Sequence, residues 1–111
     1  MNNLHLSKEA QNDLAEIKAY ITEELENSDA ALATVSRITK KIRVLKNQAY
    51  AGTPLSSVAD TESDYRFLVS GNYLVFYRAY GKDVYIDRVL YGRRDYMRIL
   101  FGDVQTDEVD E

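Results

Sequence analysis

The chain contains no cysteine and no tryptophan, one histidine, His5, and one proline, Pro54, among its 111 residues. Without cysteine there is no disulfide framework, and a single histidine cannot assemble a Cys/His metal constellation, so structural zinc is excluded and no metal site is expected. A Ser/His/Asp triad would depend on His5 alone, near the N-terminus in a predicted strand, and it is not carried forward as a catalytic base. Glycine is scarce, and Gly71, Gly81 and Gly92 stand singly at predicted turns. No glycine-rich loop can cradle a phosphate, and no cofactor is expected. No stretch approaches the roughly 20 consecutive apolar residues of a membrane span. The opening Met1-Asn2-Asn3-Leu4-His5-Leu6 lacks a basic run followed by an apolar core, so a soluble, cytoplasmic protein with no membrane partner is expected.

What is present is an ordinary globular balance, with 45% hydrophobic and 29% charged residues, and such a chain folds rather than staying disordered. The length suits one core, and a single domain over residues 1–102 is expected. Asp103, Asp107, Glu108, Asp110 and Glu111 then make an acidic tail that reads as disordered. The formal net charge is −4, yet residues 1–64 hold seven Lys/Arg against ten Asp/Glu while residues 65–101 hold seven against three. The last third is basic within an acidic protein, which points it toward a negatively charged partner or substrate.

Local pattern predicts the element order. Leu4 and Leu6 mark a short first strand over residues 2–6. Ser7 offers an N-cap, and Ala10, Leu14, Ile17, Ile21 and Leu25 recur at three- and four-residue steps, predicting a helix from Lys8 to Glu26. Asn27-Ser28-Asp29 breaks it and caps a second helix with the stripe Ala31, Val35, Ile38, Ile42, Leu45 and Ala49, ended by Gly52-Thr53-Pro54. So short a join makes a helical hairpin. Residues 55–64 have no periodicity and read as an exposed, mobile loop.

Strands follow at 65–70, 73–80 and 84–91, joined by Gly71-Asn72 and Gly81-Lys82-Asp83 as antiparallel hairpins. In the last strand, strict alternation places Val84, Ile86, Arg88 and Leu90 on one face. Arg93 to Phe101 reads as a short helix or turn docking through Met97, Leu100 and Phe101. The fold class is therefore α+β: an N-terminal strand, a helical hairpin packed on one face of a curved, mostly antiparallel sheet, and a short C-terminal helix.

The remaining chemistry rests on arginine and tyrosine. Arg66, Arg78, Arg88, Arg93, Arg94 and Arg98 are interleaved with Tyr65, Tyr73, Tyr77, Tyr80, Tyr85, Tyr91 and Tyr96. Guanidinium groups bind phosphates bidentately and stabilise phosphoryl charge, and aromatic rings stack on unpaired bases, so this would suit a metal-free RNA-contacting surface. The plainer reading makes the tyrosines core and rim and the arginines ordinary surface charge, and composition alone favours it. Arg37, Lys40, Lys41, Arg43 and Lys46 of the second helix likewise read first as a solvated face.

Tyr65-Arg66, the segment Gly71-Asn72-Tyr73-Leu74-Val75-Phe76-Tyr77, and Arg88-Val89-Leu90-Tyr91-Gly92-Arg93-Arg94-Asp95-Tyr96 resemble the C-terminal half of the RelE/ParE superfamily of bacterial toxins. With the preceding hairpin the likeness reaches nearly to Phe101, and the Gly-Arg-Arg-Asp-Tyr ending is its most specific part. The resemblance implies the toxin half of a type II toxin–antitoxin module, neutralised by a cognate antitoxin and meeting operator DNA only through the antitoxin complex. RelE-like members cut mRNA on the ribosome; ParE-like members poison DNA gyrase and are not enzymes. On the nuclease reading Arg66, Arg88, Arg94 and Tyr96 are the candidate catalytic residues, with Tyr96 transferring a proton once neighbouring cations lower its pKa. Arg93, Arg98, Arg37 and Lys41 are the candidate partner contacts.

One departure separates the two branches. Where RelE-like nucleases follow the tyrosine of the middle strand with an arginine, Tyr73 is followed by Leu74, which removes a phosphate-binding group. The long hairpin and Tyr91-Gly92-Arg93-Arg94-Asp95 look more like the ParE branch, and an acidic chain is poorly matched to the polyanionic ribosome. Gyrase poisoning is therefore slightly favoured over mRNA cleavage, with a non-toxic antitoxin-binding scaffold as the third expectation.

Overall fold

The computed structural model describes residues 1–92 and 94–102; Arg93 and the acidic segment 103–111, with the tail expected there, lie outside the described residues. The elements in chain order are β1 (Asn3–Leu6), α1 (Lys8–Glu23), α2 (Ser28–Val44), β2 (Thr53–Pro54), β3 (Arg66–Ser70), β4 (Tyr73–Tyr80), β5 (Asp83–Tyr91) and α3 (Tyr96–Phe101), with a turn of 3-10 helix at Leu55–Ser57.

Both long helices start where a local side chain can cap them. The Ser7 hydroxyl accepts from the Ala10 N–H at 2.9 Å and donates to the Asp87 carbonyl at 2.7 Å, so the cap of α1 also fastens that helix to β5. Asn27 accepts from the Ala30 N–H at 3.0 Å to begin α2. Between the helices Glu26 takes a φ of 52°, the left-handed residue that turns the chain back on itself. α2 stops at Val44, short of Gly52, because Leu45 is drawn fully into the core and the backbone tightens, Leu45 and Lys46 N–H bonding to Ile42 and Arg43 carbonyls. Carbonyls freed at this end are taken by Asn2, whose side chain donates to Leu45 and whose backbone N–H donates to Lys46.

The strands form one sheet in the order β1-β5-β4-β3-β2. Only the β1–β5 pairing is parallel, which the chain permits because the hairpin and three strands intervene between them. Gly71 and Gly81, each at φ +59°, occupy the first position of two-residue hairpin loops, where a side chain would be strained. Strict alternation fails in β5: Phe76 pairs with Arg88 but Tyr77 pairs with Ile86, so Asp87 is an extra, bulged residue. Val84 and Ile86 consequently share their face with Val89, and Leu90 lies on the other.

The hairpin covers one face, packing Ala10, Ile38, Ile42 and Leu45 against Val75, Tyr77, Val84, Ile86 and Val89. The second face is also apolar and also covered, with Leu55, Phe76 and Leu90 buried beneath Tyr96, Met97, Ile99 and Leu100. The sheet is thus a middle layer rather than one of two. Residues 55–64 differ from the expected loop at their start, since β2 pairs with Arg66 and Phe67 and so delivers Leu55 into this second core.

Candidate functional site

At one end of the sheet, α1, α2 and the β3–β4 turn enclose a groove of about 690 Å³. Ile17, Tyr20, Ile21 and Leu25 supply its apolar wall, and Tyr73 and Tyr91, edge-to-face across β4 and β5 at 5.8 Å, also line it. Tyr20 and Leu25 remain more than half exposed, at 54% and 58%. Arg37 of α2 and Arg94, just beyond β5, stand at the same groove with Glu16. Two residues that the sequence placed in different roles, Arg37 as a partner contact and Arg94 as a catalytic group, therefore meet at one site. An apolar trough flanked by two guanidinium groups fits a peptide segment with an apolar face and a carboxylate.

The other sequence candidates are engaged elsewhere. Arg88 forms a two-pronged pair with Asp13 of α1, Nε to Oδ2 and Nη2 to Oδ1 at 2.8 Å each, and Oδ2 also accepts from the Val89 N–H at 2.9 Å. The hydrogen bond to the Asp13 carboxylate raises the Arg88 pKa further against the opposing effect of burial, so this cation is held charged. Arg66 donates to the Gly52 carbonyl at 2.8 Å and sits over the Tyr50 ring at 4.8 Å. Tyr96 packs its ring on Phe76 at 5.2 Å within the second core. Arg98 is exposed beside Asp95 at 3.5 Å in the same helical turn, Lys41 is exposed on α2, and Arg93 lies outside the described residues.

A polar network that the sequence did not single out lies beside α3. The Tyr65 hydroxyl donates to Asp87 at 2.8 Å, Arg78 pairs with the same carboxylate at 3.0 Å and stacks over Tyr65, and Tyr80 donates to Asp64. Burial, then the Asp87 hydrogen bond, pushes the Tyr65 phenol up to about 12. Asp13 carried a readable signal, an acid on the core-facing stripe between Ala10 and Ile17 of α1. Asp87 carried none, because its role depends on the bulge.

Among the described residues no group of His, Cys, Asp or Glu could hold a metal ion, and no helix is long and apolar enough to cross a membrane. Among curated proteins no sequence match is found. Of solved structures, a chain of the chromosomal ParDE TA system from P. aeruginosa superposes with a TM-score of 0.69 at 24% identity, over 82% of this chain and 96% of that one. YafQ from E. coli strain BL21(DE3) superposes with a TM-score of 0.51 at 16% identity, over 92% of this chain and all of that one, 100%. These likenesses concern the fold. Sequence carries the assignment further, since residues 4–96, from β1 through both hairpins to the first residue of α3, match the family described as the ParE toxin of the type II toxin-antitoxin system, parDE. The chain belongs to the ParE toxin family of type II toxin–antitoxin systems.

Proposed function

We propose that this chain inhibits growth by acting on DNA gyrase rather than by cutting mRNA, and that its cognate antitoxin neutralises it by laying a segment in the groove between α1, α2 and the β3–β4 turn. The observation that carries the first part is the engagement of the groups a nuclease would need. Metal-free cleavage requires several cations free to converge on one phosphate and a proton-transfer group beside them. Arg88 is closed on Asp13, Arg66 donates to the Gly52 carbonyl and Tyr96 lays its ring on Phe76, and of the four only Arg94 lines the groove, which argues against their convergence on one phosphate. Leu74 sits in the second apolar core, where the nuclease pattern has an arginine. The groove supports the second part, with its exposed apolar wall and with Arg37 and Arg94 placed to receive carboxylates.

Induced expression in a bacterium without the antitoxin, with DNA and protein synthesis followed by separate pulse labels over the first minutes, tests the target. An early fall in DNA synthesis, relieved by excess gyrase, is expected. An early fall in translation with intact DNA synthesis would transfer the target to mRNA, and unaffected growth would leave a non-toxic scaffold.

A further inference from the structure

The arginines of the sheet close on carboxylates and carbonyls of the same chain, but the cations of α2 do not. We propose that Arg37, Lys40, Arg43 and Lys46 form a row by which this protein itself grips the phosphate backbone of duplex DNA, without regard to base sequence. Arg37, Lys40 and Arg43 recur every third position, so neighbours stand about 5–6 Å apart, each turned about 60° further round the helix. The row crosses the outer surface of α2 obliquely toward Lys46 just past its end, with Lys41 alongside. All five side chains are exposed, and none enters an ion pair among the described residues. Arg37 donates only to the Thr34 hydroxyl of its own helix, at 3.4 Å. From Ala30 to Ala59 the sequence has these five cations and no acid, within a chain of net charge −4.

Cations in the last turn of a helix complement its dipole, which accounts for Lys41 and Arg43 but not for Arg37 or Lys40, further from the end. The chemistry selects duplex DNA among the polyanions. A protein partner would want buried apolar or aromatic anchors, and between Ser36 and Asn47 the only large apolar side chain exposed is Val44. A single strand would want rings to stack on, and α2 carries no aromatic residue. A B-form groove about 12 Å wide admits a helix and brings phosphates to both of its sides. DNA contact by this row stands whether or not gyrase is the cellular target.

The test is fluorescence anisotropy of the purified full-length chain with a labelled duplex of about 24 base pairs and arbitrary sequence, titrated at several salt concentrations. Four phosphate contacts give a slope of log K against log salt of about −3.6, and affinity falls about 150-fold between roughly 50 and 200 mM. The double variant Lys40→Ala with Arg43→Ala keeps two contacts and loses only about 12-fold over the same range. Both positions are solvent-exposed and only Arg43 stands in the last turn of the helix, so a melting temperature lowered by no more than a few degrees reports an intact fold. No binding at the lowest salt, a slope that the double variant does not alter, or tighter binding to the single strand would overturn the assignment. So would competition by polyglutamate as effective as by unlabelled DNA, since that result would give the row to an acidic protein.

Discussion

Asp13→Ala removes three hydrogen bonds at once, two from Arg88 and one from the Val89 N–H. Asp13 is 7% exposed and Val89 is 2% exposed, so water does not replace the lost acceptor at that N–H. An orphaned buried amide costs about 1–3 kcal/mol. Breaking a buried ion pair by deleting one partner costs about 3–5 kcal/mol when both ions are enclosed. The Arg88 side chain retains 26% of its exposure and can turn partly to water, which reduces its share. The expected total is about 3 kcal/mol, a fall in melting temperature of roughly 10–15 °C for a domain of this size. Circular dichroism melts and urea titration read the loss, and exchange of the Val89 amide reads its location. In a double-mutant cycle with Arg88→Met, the second change should cost little once Asp13 is gone. A drop below about 1 kcal/mol with unchanged Val89 exchange would refute the clasp between α1 and β5.

Gly52→Ala should destabilise the chain by about 2 kcal/mol or more in the same melts, because a Cβ there meets the Phe67 carbonyl and the Tyr77 ring at 2.7 Å. An unshifted midpoint would mean the Ala49–Gly52 loop can move away. Tyr65 should make stability fall with rising pH: its folded pKa is raised to about 12 from 10.0, so its contribution is complete below pH 10 and is lost between pH 10 and 12. Tyr65→Phe should flatten that part of the pH–stability curve, and an unchanged slope would sink the assignment. Arg37→Glu combined with Arg94→Glu should weaken antitoxin binding at least about tenfold by calorimetry, whereas Arg98→Glu, exposed on α3, should leave it within about twofold.

What was legible in the sequence was what local chemistry decides. Ser7 and Asn27 cap the helices they were expected to cap, most of both apolar stripes packs in the core while Leu25, beyond the end of α1 at Glu23, stays exposed, and both glycine-bearing turns close antiparallel hairpins. What was not legible depended on partners distant in the chain. The Arg88 side chain is held by a carboxylate 75 residues away, and its strand face is reset by a bulge that no residue type announces. Gly52 looked like a helix terminator and is instead a point of close approach, its N–H donating to the hydroxyl oxygen of the fully buried Tyr77 at 2.8 Å. The groove combines residues from both helices, the first β-turn and the end of β5, so Arg37 and Arg94 were each selected without their meeting being visible.

Closure of the second sheet face unites the departures from the nuclease pattern. Leu74 packs in the same cluster as Phe76, Leu90 and the α3 side chains, beside Gly92, at which a Cβ would lie 3.8 Å from the Leu74 Cγ. A guanidinium at position 74 would begin its course among these apolar side chains and, the site being half-buried, would have to carry its charge past them to solvent. The same helix brings the Tyr96 ring onto Phe76. Leu74 and the Tyr96 ring thus both belong to the apolar layer on this sheet face. Charge follows the same logic, because Arg66, Arg78 and Arg88 fasten the sheet to its surroundings, while the cations of α2 and Arg94 at the groove enter no ion pair among the described residues. Under the proposed function the surfaces that act are the groove and the outer side of α2, both suited to binding.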